Sequence, residues 1–186
     1  GRRTPPAAKE ALPVVTFADA VTFHLNGETI QVVHVAPAHT DGDSVVRFAT
    51  SNVLHTGDLF FNGRYPFIDL SSGGSVDGVI AAADRLLGMA DDETLIIPGH
   101  GPLARKPDLV RYRDVVKTIR DRVAALIAEG KTREEILAAG VSKEWDDPWG
   151  TGFMRPEVFV SIVHDSLRPR AARSSEPEKP APPSTK

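Results

Sequence analysis

The chain has 186 residues, 41% of them apolar and 25% charged, with a formal net charge of −3. That apolar content supports one domain with a proper core, while Lys and Arg are too scattered to form an electrostatic footprint for nucleic acid. There is no cysteine, which excludes disulfides, thiolate catalysis, iron–sulfur clusters and cysteine-type zinc sites. No run approaches the roughly 18–20 apolar residues of a membrane span.

Residues 1–11 are rich in Pro and charge and read as a linker or an edge. Strand signals begin at Leu12. The segments AVTFHL and ETIQVVHV flank Asn26-Gly27, a pair that tolerates the positive φ of a tight hairpin turn. A second pair, SVVRFA and NVLHTGD, flanks Thr50-Ser51-Asn52. After Asp58 the stretch FFNGRYPFIDLSSGG is too long for a simple connector and reads as the wall of a site. Ser75 then caps a helix over VDGVIAAADRLLGM, whose apolar residues recur at helical spacing. TLIIP is a short buried strand stopped by Pro98-Gly99. A long helix covers 108–129, Thr132 and Glu135 form a capping box for a short helix over 133–139, and a last helix lies near 155–167. The tail, 168–186, is dominated by Pro, Ser and charge and is expected to be disordered. The order strands, helix, strand, helices predicts an α/β chain with one mostly antiparallel sheet and helices on one face, the half of a layered sandwich.

Six histidines are present. His24 and His34 lie inside hairpin strands, His55 within a strand and His164 on the last helix, where ordinary structural roles are expected. His39 and His100 differ. Each follows an apolar strand and is bracketed by Pro or Gly, in PAHTDGD and PGHGPL. Gly99 and Gly101 remove side-chain bulk around His100 and let other groups approach. Asp58, in LHTGDLFF, is placed where a carboxylate is expected to be neutralised by a cation. Three such N and O donors suit zinc, with manganese or iron as alternatives. A carboxylate such as Asp58 can bridge two ions and so serve a centre that activates water.

The segments PAHTDGD, HTGDLFF and PGHGPL together resemble the metallo-β-lactamase-fold hydrolase superfamily, which includes glyoxalase II. The resemblance implies half of an αββα sandwich over residues 12–167 and a dinuclear metal centre. In it His39 would complete the first metal site, Asp58 would bridge the two ions and orient the nucleophile, and His100 would complete the second. It implies a hydrolase using a metal-bound hydroxide on an ester, thioester, lactone or amide-type small-molecule substrate. Tyr65, Phe67 and Asp69 would line the substrate pocket, with Trp145 and Trp149 over it. The superfamily's His-x-His-x-Asp-His run is not found in the sequence. The chain therefore reads as the C-terminal half of the domain, and the missing N-terminal half becomes an expected partner. One histidine per ion and a shared carboxylate fall short of the three or four protein ligands of a zinc site. Weak metal binding by this chain alone is expected, as is an uncovered apolar sheet face. The competing readings are a catalytically inactive binding or regulatory module of the same fold, and a nuclease-like relative, which no basic stripe supports.

Overall fold

The computed structural model describes residues 7–35 and 37–168. Five strands form one sheet in the order β1-β2-β3-β4-β5. β1 (Ala20–Leu25), β2 (Glu28–His34), β3 (Ser44–Phe48) and β4 (Val53–Phe61) meander antiparallel, and β5 (Leu95–His100) joins β4 in parallel. The Asn26-Gly27 turn has the expected positive φ at both residues, 53° and 77°, and Asn52 repeats it at 53° in the β3–β4 turn. Glu28 ties the two turns together, accepting from Ser51 Oγ at 2.6 Å and from the Thr50 and Ser51 N–H groups. Those bonds, the Ser51 hydroxyl foremost, hold its carboxyl at about 2.

Helix α1 (Val76–Met89) begins where Ser75 Oγ accepts from Gly78 N–H at 3.0 Å. Helix α2 (Lys106–Ala128) follows β5, then α3 (Arg133–Ala138), the short α4 (Asp146–Trp149) and α5 (Pro156–Leu167). The Thr132–Glu135 capping box forms as the sequence predicts. Val79, Ala83 and Leu86 of α1, Leu109, Val116 and Ile119 of α2, and Phe159 and Val163 of α5 are buried in one core with Val45, Leu54 and Ile96 of the sheet. Among the described residues no helix is long and apolar enough to cross a membrane.

The strand register shows what the helices leave bare. Paired residues share a face, so Leu54 and Ile96 on the helix side place Val46, His55 and Ile97 on the other. Through Val46 that second face continues to Val32 and Val21, and by alternation to Phe23, Leu25, Phe48, Val53 and Leu95. None of these apolar side chains is in the buried core, and Phe23 and Leu25 are 43% and 59% exposed. One sheet with helices on one face and an apolar second face is what the sequence order predicts.

Two strand boundaries differ from the sequence reading, and both bear on the site. Asp58 lies inside β4, which runs on through Leu59, Phe60 and Phe61. Those three are 0–2% exposed, so burial keeps the segment extended where a loop was expected. β5 does not stop at Pro98-Gly99 but continues to His100. It is the edge strand, so the absent N–H of Pro98 deprives no neighbour. Of the predicted edges, 1–6 and 169–186 lie outside the described residues, and 9–11 form an exposed 3-10 turn.

Candidate metal centre

His39 sits in the loop between β2 and β3. Its backbone is clamped: Asp69 N–H donates to the His39 carbonyl at 2.9 Å, and Ser75 N–H to the Ala38 carbonyl at 2.9 Å. Gly74 packs so closely that a Cβ there would lie 2.3 Å from the His39 carbonyl oxygen. The imidazole is oriented by Asp43, whose Oδ1 lies 3.2 Å from His39 Nδ1. Asp43 is itself held by Thr40 N–H at 2.8 Å and Thr40 Oγ1 at 3.1 Å. A carboxylate at Nδ1 assigns the proton to that nitrogen and leaves the Nε2 lone pair free.

That Nε2 faces Asp58 Oδ2 at 3.8 Å, while His100 Nε2 faces Asp58 Oδ1 at 3.4 Å. The Asp58 carboxylate thus has one imidazole opposite each oxygen. β4 brings it there through an irregular register against β5 between His55 and Phe61. The buried Thr56 hydroxyl pins the two strands by donating to the Ile97 carbonyl at 3.2 Å. The two glycines singled out around His100 have separate tasks. A Cβ on Gly99 would lie 2.2 Å from Asp58 Oδ1, and one on Gly101 would lie 2.3 Å from the Asn62 carbonyl oxygen. Gly99 makes room for the carboxylate. Gly101, at φ +99°, lets the chain turn beneath β4. His100 is further fixed by stacking on Phe61 at 4.6 Å and by Asn62 N–H donating to its carbonyl at 2.8 Å.

The donor set suits a divalent metal in type and spacing but not in number. Two ligands at about 2.0–2.1 Å in one tetrahedral shell stand about 3.3 Å apart, close to the 3.4 Å and 3.8 Å seen here. Either side of Asp58 offers one imidazole nitrogen and one carboxylate oxygen. Among the described residues no group of three or more His, Asp or Glu side chains closes on a single point.

The other predicted residues divide. Phe67 is 38% exposed and meets the His39 ring edge-on at 6.0 Å. Tyr65 is 1% exposed, its hydroxyl engaged by Asp146 at 2.9 Å and the Ser142 carbonyl at 3.3 Å. Burial and the Asp146 carboxylate raise its pKa, and its largely buried ring still borders the cleft beside His100. Asp69 is bonded to its own loop, accepting from Ser71 and Ser72 through both N–H and hydroxyl groups. Trp149 is buried and, with Phe61, Arg64, Phe153 and Met154, lines a cleft beside His100. Trp145 lies away under Arg122, 5.1 Å from its guanidinium. His24, His34, His55 and His164 pair locally with Thr29, the Asp41 carbonyl, Gly57 N–H and Asp165. Sequence reasoning missed Asp43 as a partner of His39, although the second carboxylate of TDGD stands four residues on. It also missed Phe153, which nothing in the local sequence connects to the site.

The fold and this arrangement define a metallo-hydrolase architecture, and the sequence pattern of the metallo-beta-lactamase superfamily matches residues 2–100. The chain belongs to that superfamily, whose members carry metal cofactors on a metal-dependent hydrolase fold. An uncharacterised protein of Mycobacterium tuberculosis is 35% identical over 88 residues, 45% of this chain and 38% of that protein. The chain therefore spans well under half the length of the curated relatives it matches. Among solved structures, a metallo-beta-lactamase family protein from Thermus thermophilus superposes with a TM-score of 0.56 and 18% identity, over 83% of this chain and 48% of that one. A stereoselective inverting sec-alkylsulfatase from Pseudomonas sp. does so with a TM-score of 0.59 and 16% identity, over 89% of this chain and 28% of that one. Both likenesses concern the fold.

Proposed function

We propose that this chain supplies His39, Asp58 and His100 to the dinuclear centre of a metal-dependent hydrolase, with Asp58 shared between two ions and zinc the first choice of metal. One observation carries the reading: a single carboxylate with an imidazole nitrogen opposite each oxygen. Ions bound there supply Lewis acidity and an activated water for attack on an ester, thioester, lactone or amide carbonyl. The chain's own residues do the positioning. Asp43 keeps His39 turned towards Asp58, Gly99 leaves Asp58 its space, and Phe61 holds the plane of His100. Phe67 and the cleft of Arg64, Phe153 and Met154 receive the organic part of a small substrate.

Two donors per ion require others from outside the described residues. The uncovered apolar face of the sheet is where we place a complementary half-domain that brings them, completing the second pair of layers. Zinc titration of the chain, alone and with a polypeptide carrying the superfamily's His-x-His-x-Asp-His half, tests both points. Weak binding alone and tight binding of two ions by the combination are expected. Tight binding by the chain alone, or no gain from the combination, refutes the reading.

A further inference from the structure

Tyr112, on α2, is 1% exposed. Its ring lies 5.1 Å from Phe60 and 6.4 Å from Trp149, nearly parallel to the latter at 15°. Its hydroxyl is the one buried side-chain polar atom among the described residues without a hydrogen-bond partner. Native proteins rarely leave such a donor unmatched, because burial removes water without returning a bond. Tyr65, nearby, shows the ordinary outcome, with its hydroxyl bonded twice.

Two carboxylates, Asp58 and Asp43, act electrostatically on this hydroxyl. Asp43 is engaged by Thr40 and His39. Asp58, by contrast, faces only the two imidazoles and accepts from no backbone N–H or hydroxyl among the described residues. Phe60, whose ring packs on that of Tyr112 at 5.1 Å, is two residues beyond Asp58 on β4. Burial first, then the negative charges of Asp58 and Asp43, raise the Tyr112 pKa well above the ordinary tyrosine value. An ionised carboxylate only accepts, so in any bond between Asp58 and Tyr112 the hydroxyl is the donor.

We propose that Tyr112 is a positioning residue for Asp58: its buried hydroxyl donates, through one ordered water, to the carboxylate and holds it between His39 and His100. A water bridge satisfies both groups at little entropic cost. The inference deepens the reading of Asp58 as the shared ligand, but its principal test needs no metal.

That test is a double-mutant cycle on the full chain, with urea unfolding of the wild type, Tyr112→Phe, Asp58→Ala and the double variant. Tyr112→Phe is expected to raise the unfolding constant about tenfold in the wild-type background, the scale of a hydrogen bond to a charged group. It should have little effect where Asp58 is already Ala. An unchanged or lowered constant for Tyr112→Phe, or an equal rise in both backgrounds, overturns the proposal. Should Asp58→Ala not fold, cobalt(II) titration followed by NMR at His39 and His100 decides instead. Tyr112→Phe should then weaken cobalt binding about tenfold, and unchanged binding overturns the proposal. A wild type that shows no cobalt effect at those histidines sinks the metal reading, and Tyr112 is then decided by the same unfolding cycle with Asp58→Asn in place of Asp58→Ala.

Discussion

Replacing Gly99 by Ala adds one methyl group at the tightest point of the candidate centre. The new carbon would stand 2.2 Å from Asp58 Oδ1 and 2.7 Å from the carbonyl carbon and oxygen of Gly57, where real Cβ atoms stay beyond 3.0 Å. The carboxylate must therefore retreat by about 0.8 Å or more, the difference between those two distances. The Gly57 carbonyl cannot easily follow, because Gly57 is paired with Pro98 across the β4–β5 ladder. Overpacking of this kind costs about 1–3 kcal/mol. The larger consequence is local: moving Asp58 breaks its placement opposite both imidazoles at once. Metal affinity should fall by about 10–100-fold, as when a supporting group around a ligand is lost. Zinc calorimetry and urea unfolding of Gly99→Ala measure the two effects. Gly88→Ala on α1 is the control, since nothing lies within 4 Å of its added carbon, and it should gain about 0.4–1 kcal/mol. A Gly99→Ala protein with wild-type stability and wild-type zinc affinity would refute the reasoning.

Asp43→Ala should release the His39 ring and weaken metal binding about tenfold without unfolding the chain; an unaltered His39 orientation by NMR contradicts this. Asp69 is held at about 2 by bonds from the Ser71 and Ser72 hydroxyls and N–H groups. Its carboxyl is lower in the folded than in the unfolded state. The stabilisation is therefore complete above about pH 4 and is lost as pH falls through about 2, by NMR titration of the carboxyl; a midpoint near 4 rules it out. Val46→Lys places a charge in the middle of the uncovered sheet face and should reduce self-association in sedimentation velocity. Equal association of variant and wild type would show that this face does not mediate it.

Much of the fold was legible because its signals are local. Asn26-Gly27 needs positive φ whatever surrounds it, Ser75 caps whatever helix begins at Val76, and Thr132 with Glu135 closes its box within four residues. Two strand ends were not legible. LFF after Asp58 remains a strand because the core buries it, and Pro98 is admitted into β5 because that strand is an edge. Tyr65 and Phe67 looked equivalent as loop aromatics, yet packing against Phe159 at 4.9 Å buried one and left the other exposed. Asp43 escaped notice because its use depends on the turn that folds it back onto His39.

The sequence by itself determined which atoms could serve a metal, since with no cysteine only imidazoles, carboxylates and carbonyls remain, and it marked His39, Asp58 and His100 by their breaks in apolar runs. Tertiary structure decided their arrangement, because residues 19 and 42 positions apart meet only when an irregular β4–β5 register and a methyl-free Gly99 bring them to one carboxylate. It also decided the limit of that arrangement. The Asp58 carboxylate has two oxygens and one imidazole faces each, so two donors stand on either side of it, and our proposal draws the remainder from across the bare sheet face.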